Sequence, residues 1–474
     1  MDWNEFLHQL FKLAYIGAVC GTIGVIILDN RNPVKTLAWI LVLTFLPVVG
    51  LVFYIFFGRS TRHERIISRK GYSRLTKRPM QEYQAQASIQ NPDETPPLVH
   101  LFRNTAQALP FAGNRTKVYT DGLSKLQALI RALYAAKHHI HLEYYIIEDD
   151  PVGRLVRDVL VDKAREGVEV RVLYDDVGCW HVPNRFYEEM LEAGIEVRGF
   201  LKVRFPRFTS KVNYRNHRKL AIVDGRIGFI GGMNLAMRYM KGVPWGCWRD
   251  THVCLQGKAV YGLQTAFLTD WFLVDRTLLT SALYFPPMDN SGSSVVQIVT
   301  SDPVGIWKDI MLGLTMAIAS AKRYCYIQTP YFLPTEPILS ALQTAALAGV
   351  DVRLMLPERA DSRITHLGSC SYIADVLKAG VKVYFYQKGF LHSKLFVADD
   401  SLASVGSTNM DFRSFEHNFE ANAFFYDTET ALQLKHIFLQ DQKLCTHLSV
   451  KEWQKRPWRR RAAESAIRLL APLL

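Results

Sequence analysis

The chain has no Cys-x-x-Cys pair, and none of its seven cysteines (Cys20, Cys179, Cys247, Cys254, Cys325, Cys370, Cys445) joins histidine in a metal-like cluster. No metal site is therefore expected, and the odd, scattered set reads as reduced packing thiols in a cytosolic compartment. Acid is scarce relative to base: 44 Asp and Glu stand against 57 Lys and Arg, leaving a formal charge of +13. That balance favours an anionic partner, whether nucleic acid, an acidic membrane surface or a phosphate-bearing substrate. The start carries Asp2 and Glu5 where a secretory signal wants basic residues, and a second apolar run follows at once. A membrane hairpin is therefore expected in preference to a cleaved signal peptide.

Charge is also missing from Thr36 to Phe57, and Leu13 to Leu28 is apolar except for Thr22. Crossing a bilayer takes about 20 apolar residues, so the second run is long enough and the first is marginal without its flanks. Pro33 breaks the polar turn between them. Eight basic residues follow the second run, from Arg59 to Arg78, which by the positive-inside rule places that side in the cytoplasm. A membrane hairpin over 1–65 (helices about 11–28 and 36–57) is expected, then a proline-dotted linker over 66–115.

What is present in abundance is repetition. The pattern H-x-K-x4-D-x6-G-[GS]-x-N runs from His217 through Lys219, Asp224 and Gly232 to Asn234, and again from His392 through Lys394, Asp399 and Ser407 to Asn409. Other landmarks repeat in step. Gly167 and Gly349 stand 182 residues apart, Ala193 and Ala379 186, and the two histidines 175. The first copy thus holds about ten extra residues before its motif. Strands alternating with helical stretches predict an α/β sandwich in each copy, over 116–290 and 291–445, paired about a pseudo-twofold axis like a fused dimer. A basic and apolar tail fills 446–474; it reads equally as an interfacial segment or as a terminal helix docked on the core.

Read as strands, the motifs put His217 with Lys219, and His392 with Lys394, on common faces. Attack on a phosphodiester needs a nucleophile, an acid for the leaving alkoxide and cations for the phosphoryl oxygens. Imidazole, with an ordinary pKa of about 6.5, can fill either of the first two roles. One copy lacks either nucleophile or acid; two copies facing each other complete the set, with no metal or cofactor required. The candidate catalytic set is His217, Lys219, Asp224, His392, Lys394 and Asp399, with the two aspartates expected to hold turn and strand rather than transfer protons. Gly232, Asn234, Ser407 and Asn409 are candidate phosphate binders. Asp250 and Glu420 are candidate carboxylates for orienting the imidazoles. The unmatched His138, His139, His141, His181, His252, His366 and His417 read as surface or packing residues.

The duplicated motif resembles that of the phospholipase D superfamily, and the whole chain is similar to its bacterial cardiolipin synthases. Further likeness lies in Gln328-Thr329-Pro330-Tyr331-Phe332, in Asn409-Met410-Asp411-Phe412-Arg413-Ser414 and in the hairpin's Leu46-Pro47-Val48-Val49-Gly50. The resemblance implies conversion of two phosphatidylglycerol molecules to cardiolipin and glycerol through a phosphatidyl-histidine. It implies His217 as nucleophile, His392 as acid/base, and phosphate gripped by Lys219, Lys394, Asn234 and Asn409. It also implies an integral, multi-pass enzyme of the bacterial inner membrane with anionic lipid as partner, no nucleic acid, and an oligomer possible. Hydrolysis to phosphatidic acid, or phosphatidylethanolamine as donor, are the alternatives. Gly232 standing where the second copy has Ser407 puts symmetric phosphate binding in doubt.

Overall fold

The computed structural model describes residues 3–28, 33–54, 96–202 and 214–473. Most of the expected linker, 66–95, lies outside them, as do Arg59 to Arg78. Two units separate by contact, one of them holding the N-terminal helices and the other holding both repeats.

In the N-terminal unit the two apolar runs exchange their expected roles. The first forms an unbroken helix, Trp3–Leu28, by recruiting its polar flank. At about 1.5 Å per residue it reaches roughly 39 Å. Its stretch Glu5–Leu28 is long and apolar enough to cross a membrane. The second run is interrupted, with Pro33–Phe45 ending at Leu46 and Pro47–Phe53 resuming. The cause is Pro47, which lacks an N–H and disfavours helical backbone at the residue before it. Ile26, Leu43 and Tyr54 pack together between these helices, with Trp39 edge-on to Tyr54 at 5.4 Å.

The other unit is built on one 16-stranded sheet, fifteen strands in a continuous order and Arg215–Asn216 paired off that path with Asn418–Phe425. From one edge inward run Glu196–Phe200, Glu169–Asp175, His139–Tyr144, Lys219–Val223, Ile227–Gly231, His252–Gln256 and Pro110–Tyr119. From the other run Cys445–His447, Lys382–Tyr386, Asp351–Pro357, Tyr324–Gln328, Leu395–Ala398, Leu402–Gly406, Asn418–Phe425 and Ser294–Ser301. The halves join where Pro110–Tyr119 pairs antiparallel with Ser294–Ser301. In each half three strands run parallel, and the motif strand lies antiparallel beside them. Helices Val260–Asp275 and Thr428–Gln442 contribute to a single hydrophobic cluster drawn from both repeats.

One expected boundary moves. The linker ends before residue 97: Pro97–Thr105 is a helix whose Phe102 is fully buried, 4.6 Å from the Phe424 ring, and 110–115 opens a central strand. The apolar spacing of Leu98, Val99 and Phe102 was masked by the prolines around it. The tail is docked: Trp458–Arg468 packs along Arg363–Lys378, with Arg468 on Asp375 at 2.7 Å and Glu464 buried beneath Arg456 and Arg460. Trp458 and Leu469 stay exposed.

Candidate active site

Neither histidine lies inside its motif strand. Each sits in a break just before it, because the chain entering the motif pairs with the other repeat. Arg215–Asn216 runs parallel to Asn418–Phe419, and Gly389–Leu391 runs parallel to Cys247–Arg249. The His217 N–H then donates to the Phe419 carbonyl at 2.9 Å, and the His392 N–H to the Arg249 carbonyl at 2.7 Å. One residue further along, each partner strand delivers a carboxylate. The dyads are therefore crossed. His217 Nδ1 lies 3.0 Å from Glu420 of the second repeat, and His392 Nδ1 lies 2.7 Å from Asp250 of the first.

A carboxylate only accepts, so each Nδ1 carries the hydrogen and each Nε2 keeps a free lone pair. The Lys394 ammonium also approaches His392 Nδ1, at 2.9 Å. Both cannot be satisfied by one nitrogen, and the shorter contact to Asp250 assigns the proton. Both imidazoles line one cavity of about 320 Å³, together with Tyr145, Asn234, Tyr239, Trp248, Tyr331 and Asn409. The Tyr145 ring meets His217 edge-on at 5.0 Å, and Trp248 lies 5.5 Å from the His392 ring.

Burial sets the charge states. It pushes His217 down to about 4, opposed by Glu420 and reinforced by the Lys219 ammonium. His392 falls to about 4 from burial and Lys394, against the pull of Asp250. Both rings are thus neutral at pH 7, the form a nucleophile needs. Burial likewise lowers Lys394 to about 8 and Lys219 well below the ordinary lysine value. Burial would raise Glu420, but His217 and Lys219 hold it below its usual range. Two lysines so poorly solvated are stabilised as ammonium by any nearby anion, which returns the counter-charge that water no longer supplies.

Meanwhile Lys219 donates to the His217 carbonyl at 2.5 Å, and Lys394 to the His392 carbonyl. Asn234 and Asn409 line the cavity as expected, and the buried Asn409 Oδ1 has no partner. Ser407 and Gly232 face elsewhere, against expectation. The Ser407 hydroxyl donates to Glu420, and the Gly232 N–H donates to the Thr251 carbonyl at 3.0 Å. A Cβ at Gly232 would come within 2.1 Å of Asp250 Oδ1, so the glycine makes room for the carboxylate. Asp224 and Asp399 do not line the cavity and hold the framework instead. Asp224 accepts the N–H groups of Lys137, His138 and His139 at 2.8–2.9 Å. Asp399 accepts those of Lys322, Arg323 and Tyr324 at 2.6–3.0 Å. Both adopt φ of 53°, which short polar side chains tolerate in hairpin turns.

Sequence reasoning missed the layer behind the dyads. Arg218 donates to the Glu420 carbonyl at 3.0 Å and is paired with Asp270. Arg249 donates to the Asp250 carbonyl at 2.6 Å and forks onto Asp441 at 2.7 and 3.1 Å. Removing one member of such a buried pair costs about 3–5 kcal/mol. The available signal was the matched placing of Asp270 and Asp441 late in each repeat's last helix. The unmatched histidines pack as expected where they are buried: His139 and His141 share the Gln264 amide at 3.1 and 2.8 Å. Among the described residues no group of three or more His, Cys, Asp or Glu could hold a metal ion.

Comparison with known proteins agrees with this architecture. The family model "Cardiolipin synthase, PLD-like domain" matches residues 129–271 and 314–442, and "Phospholipase_D-nuclease N-terminal" matches 17–59. A cardiolipin synthase of Geobacillus kaustophilus is 41% identical, covering all of this chain and 95% of that one. The major cardiolipin synthase of Bacillus subtilis is 40% identical, covering 98% and 99%. The crystal structure of a phosphatidylserine synthase from Haemophilus influenzae shares the fold at TM-score 0.60 and 14% identity, over 80% of this chain and all of that one. The chain belongs to the bacterial cardiolipin synthases of the phospholipase D superfamily.

Proposed function

We propose that the enzyme moves a phosphatidyl group from one phosphatidylglycerol to another, giving cardiolipin and glycerol, with His217 and His392 dividing the chemistry. The observation that carries this reading is two neutral imidazoles in one cavity, each oriented through Nδ1 by a carboxylate of the opposite repeat. One Nε2 attacks phosphorus, forming a P–N bond as the P–O bond to glycerol breaks. The other imidazole first takes up a proton from solvent at its free Nε2, a charge the arriving phosphate anion favours, and gives that proton to the leaving alkoxide. The primary hydroxyl of the second lipid then attacks phosphorus. Its proton passes to the second imidazole, and the P–N electron pair returns to the first. The family resemblance gives His217 the attack and His392 the proton. Lys219, Lys394, Asn234 and Asn409 are the donors this reading assigns to the phosphoryl oxygens.

The same reading makes the two repeats a pseudo-twofold pair and the N-terminal helices a multi-pass anchor in the bacterial inner membrane, with the repeats on the cytoplasmic side. Its support is the apolar Glu5–Leu28 helix, the match at 17–59 and the arginines after residue 58. Membranes carrying the chain and given phosphatidylglycerol labelled in its headgroup should release free glycerol and accumulate cardiolipin. His217→Ala and His392→Ala should each reduce this by at least about 10³-fold while leaving membrane insertion intact. Phosphatidic acid as the main product, or a dependence on phosphatidylethanolamine, would overturn the substrate assignment.

A further inference from the structure

The candidate cavity holds more positive charge than one phosphate requires. Arg215, Arg238 and Arg413 line it, in addition to the two buried motif lysines bonded to the histidine carbonyls nearby. Arg238 and Arg413 are counterparts, each four residues after its motif asparagine. Their surroundings differ. Arg238 is ion-paired with Glu148 and lies over the Trp248 ring at 5.7 Å. The position matching Glu148 in the second repeat is Leu333, since Ile147 bridges Leu235 as Phe332 pairs with Met410. Arg413 consequently has no carboxylate and no side-chain hydrogen bond among the described residues.

Instead it faces another cation. Arg215 is 3% exposed and its Nη1 has no partner; burial disfavours its charge, Asp175 supports it and the Arg413 charge acts against it. The nearby Asp175 is occupied by the N–H groups of Val177, Gly178 and Asn216 at 2.8–3.1 Å. Of the acids lining the cavity, Asp361 accepts the Tyr331 hydroxyl at 2.8–2.9 Å. Asp411 caps the helix at Ser414 at 2.7 Å. A buried guanidinium whose one near carboxylate is already engaged, and which faces a second cation, gains from a further anion, and a planar fork of donors suits a phosphodiester.

Resting on the transfer reaction above, we propose that Arg215 and Arg413 form a second anion subsite that holds the phosphate of the acceptor lipid. The reacting phosphate has the histidines and lysines. The acceptor phosphatidylglycerol brings its own phosphodiester, three carbons from the hydroxyl that attacks. A subsite for that anion selects a second anionic lipid over water or a neutral alcohol.

Microscopic reversibility supplies the test. The same phosphatidyl-enzyme can take labelled free glycerol, an acceptor without phosphate, and return labelled phosphatidylglycerol. In full-length enzyme carrying Arg413→Gln, or Arg215→Gln with Arg413→Gln, the ratio of cardiolipin formation to glycerol exchange should fall at least tenfold. Arg413→Lys should recover part of the ratio. Equal losses in both reactions would overturn the proposal, because the arginines would then serve the reacting phosphate. A parent enzyme that performs neither reaction would instead refute the transferase reading itself, so the two failures are distinguishable.

Discussion

The two half-sites deliver the same imidazole in the same tautomer but support it differently. His217 leans on Glu420, whose carboxylate is held by the Ser407 hydroxyl and by the Asn418 amide at 3.2 Å. His392 leans on the shorter Asp250, held by the Thr251 N–H at 2.7 Å, with Gly232 bare beside it. Serine goes with glutamate and glycine with aspartate. The difference at the motif's small residue is therefore an adjustment to the carboxylate of the neighbouring strand. The two halves are alike in what they present and free to differ in how they hold it.

Breaking the crossed support should have the largest effect. Asp250→Asn and Glu420→Gln leave the shape intact but let the amide donate to Nδ1, favouring the wrong tautomer, at a cost of about 10²–10⁴ in turnover. Because the dyads cross, Glu420→Gln should reproduce the kinetic signature of damage to His217, and Asp250→Asn that of damage to His392. Trapping of labelled phosphatidyl-enzyme reads this. The opposite assignment would refute the crossed pairing.

Exchanging the small residues sharpens the comparison at intermediate scale. Gly232→Ser, which would make the motifs identical, drives a side chain into Asp250 and should reduce activity about 10²-fold or more with lowered thermal stability. Ser407→Gly removes one hydrogen bond to a charged group, a loss of about 1.5–3 kcal/mol and roughly tenfold or more in rate. Similar effects from the two changes would show that the half-sites share one support after all.

The pH profile should change least. His217 is held below its ordinary value, so the neutral nucleophile persists as pH falls, and the acid limb of kcat/KM should lie near 4 instead of 6.5. Folding carries the same sign. Below about 6.5 the unfolded chain takes up protons that the folded histidines refuse, so their contribution is complete above that pH and is lost progressively towards about 4. A stability curve flat between pH 7 and 4 would contradict the burial of the pair.

How much was legible follows from which interactions are local. The Asp224–Gly225 hairpin and the strand–helix alternation are written in neighbouring residues and appear where expected; the His-x-Lys pairs are matched as well, but each histidine lies in the break before its strand. What was misread depends on long-range partners. Ser407 reads as a phosphate donor until Glu420 is brought against it, and residues 97–115 read as linker until Phe102 meets Phe424. The second apolar run is continuous in composition but not in helix, since hydropathy does not register the missing N–H of Pro47.

By itself, then, the sequence determined the chemistry available: two imidazoles, two ammonium groups and a duplicated frame able to bring them together. Only the tertiary structure decided which carboxylate serves which ring and which arginines face one another across the cavity wall. The physical reason is that short-range spacing fixes backbone turns and side-chain alternation. Protonation and orientation, by contrast, are set by burial and by neighbours some 200 residues away, as in the 203-residue separation of His217 and Glu420.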